Sequence, residues 1–110
     1  MHTGNMEFAM AGLALEAFID ETVRLSGQNG YHPTTFIGMR QRHGTVKAIS
    51  RLVENGDVQS GFKRLQELGL LDWTIEAAVI KFPAEFSPAT RECAEFRLRL
   101  AKIYANAHRT

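Results

Sequence analysis

Apolar residues along this chain recur every three or four positions, in blocks separated by glycine, proline and short polar clusters. Within residues 6–25, Leu15, Phe18, Ile19, Thr22 and Val23 keep that spacing while Glu16, Asp20 and Glu21 fall largely elsewhere, as an amphipathic helix requires. Ser26-Gly27-Gln28-Asn29-Gly30 ends it with residues that tolerate left-handed backbone. Pro33 biases His32 towards extended geometry, and Thr34 is the expected N-cap of a short helix over 35–42 that carries Phe36 and Met39 on one face and stops at His43-Gly44. A third helix over 45–54 aligns Val46, Ile49 and Val53. Asn55-Gly56-Asp57 then signals a turn, with Asp57 placed to cap a fourth helix over 58–68 whose stripe is Val58, Phe62, Leu65 and Leu68.

The stretch from Gly61 to Phe82 organises the rest. Gly69 stops the fourth helix and Asp72 is the expected cap of a fifth over 73–82, with Ile75, Ala78, Val79 and Phe82 facing inward and Glu76 and Lys81 outside. Phe82-Pro83-Ala84-Glu85-Phe86 is an apolar connector. Ser87-Pro88 pairs an N-cap with a proline at the first helical position and opens the last helix, over 88–107. Cys93, Phe96, Leu100, Ile103, Tyr104 and Ala107 form its expected inward stripe, with Arg97, Arg99 and Lys102 outside. No segment alternates with the two-residue period of a strand. The pattern predicts an all-α single domain spanning 1–110, with about six helices, short connections and a flexible start over 1–5.

Composition sharpens this only slightly. A chain of 110 residues with 23% charged side chains is long enough to bury one core. No apolar run is long enough to span a bilayer, and the first residues lack the basic and apolar regions of a signal peptide. A single cysteine, Cys93, has no internal disulfide partner, and a cytoplasmic location is expected.

Charge is more informative in its distribution than in its total of +1. Residues 1–30 set Arg24 against Glu7, Glu16, Asp20 and Glu21. Residues 31–64 set Arg40, Arg42, Lys47, Arg51, Lys63 and Arg64 against Glu54 and Asp57. The acidic first helix and basic middle can neutralise each other by packing, or the six cations can form a phosphate-binding face for nucleic acid. Lys47 and Arg51, four apart on one helix, reach a common anion. The helices flanking Asn55-Gly56-Asp57 do not fit the DNA-reading helix-turn-helix, because choosing Ala48 as its small residue puts Leu52 where the turn glycine belongs.

Motifs for catalysis are missing: the sequence holds no G-x-S-x-G, H-E-x-x-H, phosphate-binding glycine loop or C-x-x-C. His32 and His43 have no second ligand at a converging spacing, so no metal site, cofactor or small-molecule substrate is expected. Glu92 and Glu95 read as exposed ion-pair partners of Arg91, Arg97 and Arg99, and Cys93 as a buried, inert thiol. The first helix carries apolar residues beyond one stripe. Phe8, Leu13 and Phe18, with the single tryptophan Trp73, are therefore candidate interface residues of a self-associating or docking module.

The order Gly30-Tyr31, Pro33-Thr34, Phe36, His43-Gly44, then Gly61-Phe62, Leu65, Glu67-Leu68-Gly69, Leu71-Asp72, Thr74 and Glu76-Ala77 resembles a family of small bacterial helical domains of unknown function. The resemblance covers about residues 16–100, with Trp73 standing where leucine is common. It implies a compact helical module, sometimes found beside nuclease-like or restriction-related regions, in bacterial defence or mobile-element settings. It supplies no active site. The expectation is a non-enzymatic interaction module, a homodimer or docking subunit, with nucleic-acid binding through residues 40–64 as the alternative.

Overall fold

A computed structural model describes the backbone of residues 3–55 and 60–107, and the side chains within 12–55 and 62–103. Among the described residues six α-helices follow one another: α1 (Thr3–Gln28), α2 (Thr34–His43), α3 (Thr45–Glu54), α4 (Ser60–Glu67), α5 (Ile75–Lys81) and α6 (Pro88–Ala107). Short 3-10 turns at Leu71–Trp73 and Pro83–Glu85 join α4 to α5 and α5 to α6. No strand occurs among the described residues. The all-α architecture is as the hydrophobic pattern predicts, with α1 beginning at Thr3, inside the segment expected to be a flexible start. The expected cap Asp57 lies outside the described residues.

Glycine sets three of the helix ends. Gly30 and Gly69 take positive φ, at 81° and 73°. In each, the following N–H reaches back five residues, Tyr31 to the Ser26 carbonyl and Leu70 to the Leu65 carbonyl, each at 2.8 Å. The glycine's own N–H reaches back three, to Gly27 and Gln66, completing the double closure that a left-handed residue permits. Gly44, at φ 88° and ψ 165°, adopts a conformation open essentially to glycine alone, and α3 begins at the very next residue.

The caps differ from expectation at two places. Thr34 makes no capping bond, and α2 starts instead from Pro33. Asp72 is absorbed into the 3-10 turn, and Thr74 caps α5 by accepting from the Ala77 N–H at 3.0 Å. Threonine sits in the extended conformation that a cap needs, while Asp72 lies two residues too early, inside the 3-10 turn. Ser87 does cap α6, accepting from the Thr90 N–H at 3.2 Å.

The core gathers Leu15 and Ile19 of α1, Phe36 of α2, Ala48, Ile49 and Val53 of α3, Ala78 and Val79 of α5, Phe86 of the connector and Ala94 of α6. α2 packs on α3, and α6 lies across α3 and α5. Phe62 and Leu65 of α4 are also buried. Helix α1 presents Leu15, Ile19, Thr22 and Ser26 inward, at i, i+4, i+7 and i+11. Arg40 of α2 reaches the Glu16 and Asp20 carboxylates at 2.9 Å each, so acidic α1 and the basic middle do neutralise each other partly within one chain.

Helix α6 departs from the sequence pattern. Among its described side chains the buried ones are Thr90, Ala94, Arg97 and Ala101, whereas Phe96, Leu100 and Ile103 stand in solvent at 56%, 44% and 57% exposure. Cys93 is half-buried against the core, and the side chains of Tyr104 and Ala107 lie outside the described residues. The physical reason is close packing. The short side chains of Ala94 and Ala101 let α6 lie near α3 and α5, and the inward face is completed by polar groups with partners waiting for them.

Candidate functional site

The first of these partners is Glu76. The sequence pattern sets it outside α5 and sets Arg97 outside α6, yet both are buried. Arg97 Nη1 donates to Glu76 Oε2 at 3.0 Å. At the N-terminal end of the same face, Thr90 Oγ1 donates to Glu54 Oε2 at 2.8 Å. Towards its C-terminal end Gln66 Nε2 donates to the Ala101 carbonyl at 3.0 Å. Three polar contacts thus hold α6 to α3, α4 and α5 along a face whose composition looks unfit for burial.

Glu76 is not fully satisfied. Its second oxygen, Oε1, has no hydrogen-bond partner, and neither has the buried Thr22 Oγ1. Burial pushes the Glu76 carboxyl above its ordinary value, against the opposite pull of its own backbone N–H and of Arg97. Thr22 and Glu76 also line one cavity of about 50 Å³, bordered by α1, α2, α3, α4 and the start of α5, with Phe36, Leu52, Phe62 and Leu65 among its apolar walls.

Phe18 and Trp73, both interface candidates, stack on each other with ring centroids 5.0 Å apart. Phe82 meets Phe18 edge-on at 5.8 Å, and Lys81 Nζ lies 5.5 Å from the same ring. The stacked pair lines an open groove of about 510 Å³ with Ile80, Leu98 and Lys102. Leu13 is exposed on α1, and the Phe8 side chain lies outside the described residues. The large apolar stripe of α6 occupies the flank of that helix turned away from Leu98, by the angular spacing of helical residues.

Two of the six cations are paired within the chain. Arg40 is held by Glu16, Asp20 and the Thr45 hydroxyl, to which its Nε donates at 2.9 Å. Arg64 pairs with Glu67 at 3.6 Å on the surface of α4. Arg42 and Lys63 are exposed. Lys47 and Arg51 share a shallow hollow of about 370 Å³ with His43, Ser50 and Glu54. Among the described residues no group of three histidine, cysteine or acidic side chains could hold a metal ion, and no helix is long and apolar enough to cross a membrane.

Comparison with family models, curated proteins and solved structures finds no match to this chain. The geometry of its own residues therefore carries the functional reading.

The Glu76–Arg97 pair has one legible trace in the sequence. Thr90, Ala94, Arg97 and Ala101 repeat at i, i+4, i+7 and i+11, a second helical stripe of small residues interrupted by one arginine. A hydrophobicity reading passes over it because alanine and threonine weigh little beside phenylalanine and leucine.

Proposed function

We propose that this chain is a non-enzymatic interaction module that pairs with a second copy of itself through the outer face of α6. The observation that carries the reading is the exposed run of Phe96, Leu100 and Ile103, three large apolar side chains on one flank of a single helix. Contiguous apolar residues held in water mark an interaction surface more often than scattered ones do.

The charges beside this run favour a second copy as the partner. On the exposed side of α6, Glu92 and Glu95 precede Arg99 and Lys102. Two copies laid antiparallel bring the acidic half of one helix against the basic half of the other at both ends. A parallel pair would set like against like. The setting in bacterial defence or mobile elements rests on the resemblance of the glycine-punctuated middle of the chain.

Light scattering after size exclusion tests the reading. A dimer is expected at about tens of micromolar, and Phe96→Ser with Leu100→Ser should give a monomer with unchanged helicity. A strict monomer for the parent chain at that concentration overturns it. An all-acidic variant (Arg99→Glu, Lys102→Glu) and an all-basic one (Glu92→Arg, Glu95→Arg) should each be monomeric alone and pair when mixed.

A second reading is supported by the hollow shared by His43, Lys47 and Arg51, where two cations and an imidazole border one space able to face a phosphate. It predicts duplex binding that weakens steeply with salt, and further with Lys47→Glu and Arg51→Glu. No mobility shift on DNA or RNA at low salt ends it.

A further inference from the structure

We propose that the open groove walled by Phe18 and Trp73 binds a small carboxylate with a linear apolar tail, its charged head at Lys81. The groove measures about 510 Å³, within the roughly 300–1,000 Å³ of small-molecule sites. Its apolar side chains come from α1, the Leu71–Trp73 turn, α5 and α6, and they are open to a guest. Phe18, Leu71, Trp73 and Leu98 are half-buried, and Ile80 is 42% exposed. A tail laid along them removes from water apolar surface that the described residues leave uncovered.

Charge chooses the head group. The charged residues of the lining are Lys81, Lys102 and Asp72, two positive to one negative. All three are exposed, and none is ion-paired among the described residues. Lys81 stands against the apolar wall, with Nζ 5.5 Å from the centre of the Phe18 ring, which itself stacks on Trp73 at 5.0 Å. A ring face attracts a cation without neutralising it, so this ammonium keeps its charge for an anion at the edge of apolar surface. A cationic head would add a third positive charge. A phosphate monoester brings about −1.5 to −2 charges at neutral pH, more than this lining balances. A carboxylate brings one.

Trp73 is the only tryptophan of the chain, so its fluorescence reports this groove and not the apolar stripe of α6. Octanoate, octylammonium, acetate and hexanoate are titrated into the full chain. A saturable change is expected with octanoate, a weaker one with octylammonium and none with acetate. Hexanoate should bind about fourfold more weakly than octanoate, the loss for two methylenes half-covered in an open groove. Lys81→Glu, at an exposed position, leaves the lining one positive to two negative and should reverse the preference towards octylammonium. No saturation with octanoate, an equal or stronger response to octylammonium, hexanoate binding as tightly as octanoate, or a Lys81→Glu chain that still prefers octanoate overturns the proposal. Trp73 emission that shifts on dilution of the chain alone assigns the groove to a second copy and overturns it too. The ligand series is run on the parent chain, so it decides the matter even if the variant fails to fold.

Discussion

The two faces of α6 invert the usual assignment of residues to core and surface. The inner face is built from Thr90, Ala94, Arg97 and Ala101, the outer from Phe96, Leu100 and Ile103. Transfer free energy alone would turn the helix over, since each large apolar side chain gains about 1.5–3 kcal/mol on full burial. What holds α6 in its observed orientation is fit. Alanines allow the close approach to α3 and α5, and each polar residue on the inner face meets a partner: Glu54 for Thr90, Glu76 for Arg97. The outer face is then left with apolar surface whose burial a second chain can supply. The greasier side of a helix thus identifies where it gains from being covered, and leaves open which molecule covers it.

Substitutions on the inner face should have the largest effects. Arg97→Ala strands a buried carboxylate and should cost about 3–5 kcal/mol in urea unfolding. A loss below about 1 kcal/mol would mean that Glu76 does not depend on Arg97 as a buried charge depends on its partner. Ala94→Leu, which adds volume where α6 crosses the core, should cost about 1–3 kcal/mol by the same measurement. Thr74→Ala removes the cap of α5 just ahead of Glu76 and should cost about 1 kcal/mol.

The buried pair also responds to pH. Burial raises the folded-state Glu76 carboxyl above its ordinary 4.5, so the folded chain holds this proton more tightly than the unfolded one. Its contribution is fully present below 4.5 and lost as pH rises through the folded-state value. The stability of the parent relative to Glu76→Gln should therefore increase as pH falls through that value towards 4.5. A difference independent of pH would contradict it. The smallest effect is on the outer face, where Ile103→Ser should change monomer stability by less than about 0.5 kcal/mol while weakening self-association.

The helices are legible in the sequence because punctuation and period agree. Gly30 and Gly69 end α1 and α4 with positive φ, and Ser87-Pro88 opens α6, each for the backbone reason that makes those residue types informative. The stripes of α1 and α3 are legible too, since Leu15 and Ile19, and Ile49 and Val53, lie on the expected faces and are buried. Legibility ends where local signals compete. Asp72 and Thr74 are both good caps two residues apart, and the 3-10 turn at Leu71–Trp73 decides between them. On α6 the larger stripe outweighs the smaller, and nothing local to Glu76 announces an arginine 21 residues further on. Thr22 and Glu76 belong to helices far apart in the chain, so the cavity that both residues line exists only once the tertiary structure brings them together.

The corner at Gly44 constrains more than one residue. A single position separates α2 from α3, with no slack to absorb a change in chain length. An extra residue taken up into α3 would rotate its face by about 100°, carrying Ala48, Ile49 and Val53 out of register with α5 and α6. Insertions and deletions should therefore be excluded here, however mild the residue added. The five positions between α1 and α2 leave more room for such a change. The chain's tolerance to changes in length is set by its joints, and the joint at Gly44 has none to spare.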